Sequence, residues 1–361
     1  MNIVIFAGGS GRRLWPISLK SSPKQFEPIL GDRSTLQLAV DRVRDTYGAE
    51  NIFVSTNESY LSLVAEQLPD IPAANLIGEP ARRDLAAAVG LAMCHVARRD
   101  EDDPVAILWG DNYMNDVPTF LGVMAAAEQM LRAGEAQILF VGETPRFANE
   151  NLGWIGLGEE VGAVEGPPTY RFDSFAYRPP LETCQQWLAA GTHVWNTGYF
   201  VTTPRYIRGL YARHQPAMWA RLETIVAHIG LDDYKQVLHA EYPQLASLSF
   251  DDAILSHMPH EDALVLHGRM GWSDPGTLYA LKEAINSDPE ANVTQGLVVA
   301  PDSSDSLLYN YEEGKLLAAV GLEGMIVVNT GEAILVVHKD KIPLVKQLVN
   351  SLVGTDLEKY T

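Results

Sequence analysis

One stretch of the sequence is dense in groups that hold anions. Gly8-Gly9-Ser10-Gly11 follows five apolar residues and runs into Arg12-Arg13, and Lys24 follows in Pro23-Lys24-Gln25-Phe26. A glycine turn after a strand can aim several backbone N–H groups at a phosphate, because no Cβ blocks the approach. Arg13 adds a planar fork of donors and Lys24 a mobile point charge. The stretch lacks the Gly-Lys-Ser/Thr ending of a P-loop, and Leu14 stands where a dinucleotide fingerprint needs glycine. Two distant carboxylates complement it. Asp111 follows Val105–Trp109 and Gly110, and Asp274 lies in Trp272-Ser273-Asp274-Pro275-Gly276. If they converge, they can hold Mg²⁺, a hard ion satisfied by carboxylates and substrate phosphates. The ion would orient two anionic reactants and offset charge at an attacked phosphorus. Taken singly, each aspartate reads as a turn residue or cap.

The elements that must position these groups alternate in type. Ile3–Ala7 reads as a buried strand, Leu36–Val43 as a helix and Asn51–Ser55 as another strand. The alanine-rich run Ala81–Ala97 is helical, Val105–Trp109 is a strand, Phe120–Ala133 a helix and Gln137–Gly142 a strand. This alternation predicts an α/β domain around a mixed, largely parallel sheet. Glycine-rich strands follow near Trp154-Ile155-Gly156 and at Tyr170–Tyr177, with helices at Leu181–Ala190 and through most of 204–240. Asn286-Ser287-Asp288-Pro289 marks a boundary, giving a catalytic domain over 1–286 and a small β-rich module over 287–361. In that module, strands are expected at Gly296–Ala300, Ser306–Tyr309, Met325–Asn329 and Ala333–Val337, then a helix at Pro343–Leu352.

Composition narrows the class of partner. The chain has 361 residues, 47% of them hydrophobic, and a net charge of -19 from 46 acidic and 27 basic residues. That balance argues against a nucleic-acid or anionic-membrane surface but leaves room for a local basic pocket. Two cysteines without metal-ligand spacing predict neither a disulfide framework nor a cysteine-rich zinc site. Met1-Asn2-Ile3-Val4 lacks the basic start of a signal peptide, and the cytoplasm is the expected compartment. The nine histidines show no zinc arrangement, and no Gly-x-Ser-x-Gly elbow suggests a serine nucleophile.

The opening stretch GGSGRRLWPISLKSSPKQF resembles the signature of the mannose-1-phosphate guanylyltransferases, GGxGxRLWPxSxxxxPKQF, within the sugar-nucleotidyltransferase family. The resemblance resumes at intervals through nearly the whole chain. It implies a Rossmann-like nucleotide-diphospho-sugar transferase fold in which Gly8, Gly9 and Gly11 wrap the nucleotide. Arg13 would bind the β- and γ-phosphates and Lys24 a phosphate near the attacked centre. Gly110-Asp111-Asn112 stands where relatives commonly carry Ser-Asp-His, and Pro275 replaces the valine of Trp-Ser-Asp-Val-Gly. The resemblance makes Asp111 and Asp274 the Mg²⁺ ligands. Glu79-Pro80-Ala81-Arg82-Arg83-Asp84-Leu85-Ala86 is similar to Glu-Pro-x-x-Arg-Asn-Thr-Ala, which frames the base. Asp84 can accept from guanine, or it can cap the alanine-rich helix.

On the sugar side, Tyr177-Arg178-Pro179 replaces the usual Glu-Lys-Pro, so Arg178 takes the place of a phosphate-clamping lysine. Trp195-Asn196-Thr197-Gly198 is similar to Trp-Asn-Ser-Gly, and Asn196 can donate to and accept from sugar hydroxyls. Trp195 is read as packing. Asp251, in Ser249-Phe250-Asp251-Asp252-Ala253, and Glu150 and Gly153, in Asn149–Trp154, are further candidates for the sugar pocket. The implied reaction joins GTP and mannose 1-phosphate into GDP-mannose and pyrophosphate, without nucleic acid or membrane. Self-association is common among relatives, which makes a homodimer an expectation. Two other readings stay open: a transferase for another hexose 1-phosphate or nucleotide, and a non-catalytic nucleotide-sugar sensor.

Overall fold

A computed structural model describes residues 1–8, 14–18, 23–161, 166–286 and 288–361. The chain forms two compact units that interleave along the sequence. One comprises 1–7, 40–109 and 115–270, and the other 8–39, 110–114 and 271–361.

The first unit is built on a nine-stranded sheet. Its strands are β1 (Asn2–Phe6), β2 (Ile52–Asn57), β3 (Leu76–Glu79), β4 (Val105–Trp109) and β5 (Ile138–Glu143). Then come β6 (Gly153–Glu160), β7 (Thr169–Tyr177), β8 (His193–Thr202) and β9 (Ala263–Gly268). Their spatial order is β3-β2-β1-β4-β8-β5-β9-β7-β6, and β8 also pairs with β6. Pairing is parallel between β1 and β2, β1 and β4, β2 and β3, and β5 and β9. Strand β8 runs against both β4 and β5, so those two share one direction. The sheet is therefore mixed around a parallel core. All five residues of β1 are buried, as a strand covered on both faces requires.

Helices α1 (Asp84–Ala97), α2 (Val117–Arg132), α3 (Pro204–His214) and α4 (Pro216–His228) pack within this unit. Helix α1 buries Ala86–Cys94 and Val96 without a polar face, which accounts for its alanine content. Small side chains let it sit against α3, α4 and the sheet at once, in a core that includes Val4, Ile107, Tyr211 and Leu222.

The second unit gathers the β-rich stretch. Strands β10 (Val293–Gln295), β11 (Leu307–Asn310) and β12 (Met325–Asn329) are parallel, and β13 (Ile334–His338) closes the sheet antiparallel to β12. Val298–Val299 and Leu317–Ala318 form a second parallel pair. The strand expected at 296–300 is thus reduced to two residues, because the chain turns at Gly296 with φ +75°. A side chain there would lie 2.0 Å from the Asn310 carbonyl oxygen, so only glycine allows the turn. Helices α5 (Leu278–Ile285) and α6 (Pro343–Leu352) complete this unit. Its core joins Leu14, Trp15, Ile17 and Ile29 to Leu278, Leu281, Tyr309, Ile326 and Val345.

Candidate active site

Strand β4 delivers the chain to Gly110-Asp111, and the stretch that follows is clamped to residues 272–273. Tyr113 N donates to Ser273 O at 2.9 Å, and Ser273 N returns a bond to Tyr113 O at 3.0 Å. Beside this bridge, Trp272 Nε1 donates to the side-chain oxygen of buried Asn112 at 3.2 Å. Two sequence-distant segments are thereby held in register, with Asp111 on one and Asp274 on the other. Gly276 N donates to Asp274 O at 2.7 Å, closing the turn that carries the second aspartate.

Lys24 meets both carboxylates. It opens a short 3₁₀ helix, Lys24–Phe26, and only 5% of it is exposed. Its Nζ donates to the backbone carbonyls of Asp111 at 3.0 Å and Pro275 at 3.1 Å. The Asp111 and Asp274 carboxylates lie 3.7 and 4.0 Å from the same nitrogen, attracting it without a short hydrogen bond. A buried ammonium needs such compensation. Both carboxylates remain more than a third exposed. Among the described residues, no group of three or more His, Cys, Asp or Glu could enclose a metal. Two carboxylates with open faces instead fit an ion such as Mg²⁺, which takes its other ligands from water and phosphates.

Gly8, just after β1, is exposed, and a Cβ placed on it meets nothing within 4 Å. Among the described residues, nothing crowds the backbone at Gly8. Gly9, Gly11 and Arg13 lie outside the described residues.

Three of the expected sugar-side residues come together at one end of the nine-stranded sheet. Gly153 on β6 pairs with Tyr177 on β7, and Trp154 pairs with Trp195 on β8. A Cβ on Gly153 would lie 3.4 Å from Asn196 Cβ, so Asn196 fills the space beside that glycine. Arg178 joins the row through its N–H, 3.3 Å from Leu152 O. It has a left-handed φ of +49°, and its exposed guanidinium rests 5.1 Å above the Tyr177 ring. Strand β8 breaks register between Asn196 and Tyr199, where Gly198 takes φ +76° and donates its N–H to Asn196 Oδ1 at 2.8 Å. A Cβ on Gly198 would fall 2.2 Å from Trp109 Nε1. Glu150 stands exposed in the preceding turn. Trp195 is 1% exposed and packs with Trp154 and Phe147, as a core residue should.

The remaining candidates cluster at the start of α1. Asp84, at φ +61°, accepts the Leu85 N–H at 2.8 Å with its own Oδ1 and so serves the helix end. Arg83 donates to Pro243 O, tying the helix start to the 3₁₀ turn Tyr242–Gln244. Asp251 is set in the following short helix, Phe250–Ala253. Its carboxyl is pushed above the usual range by desolvation first, then by the charges of Asp252 and Asp84. Asp84 therefore lies near enough to Asp251 to act on it, although 167 positions separate them.

Sequence reasoning missed the Asn112–Trp272 brace and the Pro275 carbonyl that holds Lys24. The first joins positions 160 residues apart and the second lies 251 residues from Lys24, and no local pattern exists for either.

Residues 2–291 match the nucleotidyl transferase family, and residues 296–352 match the MannoseP isomerase/GMP-like beta-helix domain. Mannose-1-phosphate guanylyltransferase RfbM of Salmonella typhimurium is 32% identical over 99% of this chain and 73% of its own length. The mannose-1-phosphate guanylyltransferase of Salmonella muenchen is 31% identical over 99% of this chain and 74% of its own. The chain thus spans about three quarters of the length of these relatives. A crystal structure described as mannose-1-phosphate geranyltransferase from Thermus thermophilus superimposes with a TM-score of 0.85 at 27% identity. The match covers 97% of this chain and 98% of that one. With the signature stretch, the paired aspartates and these likenesses in place, the chain belongs to the nucleotidyl transferase family, among the mannose-1-phosphate guanylyltransferases.

Proposed function

We propose that the protein transfers a guanylyl group from GTP to mannose 1-phosphate, giving GDP-mannose and pyrophosphate. The observation that carries this reading is the convergence of Asp111 and Asp274 on the Lys24 ammonium. A phosphate oxygen of the sugar phosphate attacks the α-phosphorus in line. A new P–O bond forms, and the bond from the α-phosphorus to the bridging oxygen breaks as pyrophosphate leaves with the electron pair. No general base is required, because the nucleophile is already anionic near neutral pH. Catalysis then comes from positioning and charge stabilisation.

In this reading Lys24, buried and fixed by two carbonyls, presents positive charge to a phosphate without reorganising. Arg13 faces the β- and γ-phosphates, and Gly8, Gly9, Gly11 and Gly110 let the nucleotide approach the backbone. Arg83 and Asp84 frame the base. Asn196, Gly153, Arg178, Glu150 and Asp251 receive the sugar phosphate. Asp111 and Asp274 would hold Mg²⁺, which when bound offsets phosphate charge and orients the two anions. The catalytic domain of this reading spans 1–286 and the β-rich module 287–361, in a cytoplasmic homodimer. Among the described residues, no helix is long and apolar enough to cross a membrane.

The test is a matrix of nucleoside triphosphates against hexose 1-phosphates, with pyrophosphate release followed in the presence and absence of Mg²⁺. GTP with mannose 1-phosphate and Mg²⁺ should give the highest kcat/KM. Equal turnover with chelator, or a better pair elsewhere in the matrix, would overturn this reading.

A further inference from the structure

Trp109 ends β4 two residues before Asp111, and its indole is partly buried against Phe6 at 5.3 Å between ring centroids. Its Nε1 lies over Gly198, so close that any side chain at 198 would collide with it. Gly198 N–H occupies Asn196 Oδ1. Among the described residues, neither Trp109 Nε1 nor Asn196 Nδ2 has a hydrogen-bond partner, and neither is sealed in the core as Trp195 Nε1 is. Two neutral N–H donors therefore stand by the Gly198 bulge, Trp109 Nε1 against Gly198 and Asn196 Nδ2 beside Gly153. Buried or half-buried donors call for acceptors. The indole and the amide carry no charge, which suits hydroxyl oxygens better than a phosphate, where cations are the stronger partners.

We propose that Trp109 is a further specificity-determining residue, whose indole N–H donates to a hydroxyl oxygen of the hexose ring while Asn196 Nδ2 donates to a neighbouring one. The proposal rests on the reading above that the Asn196 row receives the sugar phosphate. It also gives the β8 bulge a purpose. Gly198 admits the indole, and its N–H holds Asn196 Oδ1, which leaves Nδ2 as the donor of that amide.

The experiment measures kcat/KM for mannose 1-phosphate and for its 2-, 3-, 4- and 6-deoxy analogues at saturating GTP. The proteins compared are the unmodified protein, Trp109→Phe, Trp109→His and Asn196→Ala. Trp109→Phe should lose about threefold to tenfold on the parent sugar, the worth of one neutral hydrogen bond. That loss should vanish on one deoxy analogue, which lacks the partner oxygen. Trp109→His, which keeps a ring N–H, should recover part of it, and the KM for GTP should not move. An equal loss on every analogue would make Trp109 a packing residue and overturn the proposal. So would no loss at all, or a loss that appears in the KM for GTP. If Asn196→Ala also leaves sugar dependence unchanged, the assignment of the row fails. If Asn196→Ala changes it and Trp109→Phe does not, only the role of Trp109 fails.

Discussion

Lys24 binds two carbonyls and faces two carboxylates, so its removal and theirs have different consequences. Lys24→Met strands the Asp111 and Pro275 carbonyl oxygens and leaves the aspartates to repel one another. Hydrogen bonds from a charged donor are worth about 1.5–3 kcal/mol each, and water reaching the part-exposed carboxylates reduces the total. Lys24→Met should therefore lower the melting temperature as well as turnover. Asp111→Asn and Asp274→Asn keep the shape of exposed groups, so each should cut turnover about 100-fold or more with little change in melting temperature. Calorimetry beside pyrophosphate release checks both; a destabilised Asp274→Asn with normal turnover would reverse the assignment. Arg178 presents another separable pair of effects. Its φ of +49° costs a non-glycine residue about 1–2 kcal/mol. Arg178→Gly should hold or raise the melting temperature while raising KM for every accepted sugar 1-phosphate. Arg178→Lys should recover part of that affinity. Unchanged KM values in Arg178→Gly would remove Arg178 from the phosphate site. At this scale Lys24, Asp111 and Asp274 could be singled out from motifs whose residue types suit phosphate chemistry, and the structure brings them together. The bracing groups could not be. Asn112 and Trp272 look like ordinary polar and apolar residues until the fold brings them to 3.2 Å.

Strand and helix positions were readable wherever apolar runs ended at glycine, proline or acidic turns. Leu181–Ala190 and Pro343–Leu352 form helices with the expected bounds, and the helical stretch 204–240 divides at Gln215-Pro216 and near Gly230. Strand direction was less legible. Nothing local in His193–Thr202 says that it runs antiparallel between β4 and β5, because register is set by partners more than 50 residues away. One contact between elements makes a pH prediction. Glu79 at the end of β3 accepts from Tyr242 Oη at 2.7 Å and Ser55 Oγ at 3.4 Å, joining two strands to a distant turn. Burial raises its carboxyl above the ordinary value of 4.5, although those two hydrogen bonds oppose the shift. The folded state then holds this proton more tightly than the unfolded chain. Its contribution to stability is fully present below pH 4.5 and is lost as pH rises through the folded value. Glu79→Gln keeps an acceptor for Tyr242 and removes the titration. Its melting temperature should fall less than that of the unmodified protein as pH rises from about 4.5 towards neutrality. Parallel melting profiles for the two proteins would refute the link.

At the scale of the whole molecule, sequence order and spatial grouping differ. The sequence places a boundary near residue 287 between an α/β stretch and a β-rich one, and the family matches, at 2–291 and 296–352, fall in the same order. Yet the core of the β-rich unit includes Leu14, Trp15, Ile17 and Ile29, which flank Lys24 in sequence. Such a grouping is invisible to periodicity, because each partner shows only a short apolar run. It is reinforced by hydrogen bonds to backbone. Trp15 Nε1 donates to Tyr360 O at 2.6 Å, Tyr309 Oη to Ile29 O at 3.0 Å and Tyr311 Oη to Pro28 O at 3.0 Å. The β-rich stretch thus holds the segment that carries Lys24, and under the proposed reaction it would act on catalysis through that segment's placement. Changing both Tyr309 and Tyr311 to Phe removes two of these ties and leaves every proposed substrate contact intact. An unmade bond to a buried carbonyl costs about 1–3 kcal/mol, so the pair should loosen the segment measurably. If Lys24 and the glycine stretch serve the nucleotide as proposed, the double variant should raise KM for GTP and lower kcat, with KM for mannose 1-phosphate little changed. Hydrogen exchange should quicken at residues 24–29 before it quickens on β1 or β4. If exchange quickens there and the kinetics stay normal, the module is a fold stabiliser alone. If neither changes, the tyrosine hydroxyls do not hold the segment, and its placement depends on the apolar contacts of Trp15 and Ile29.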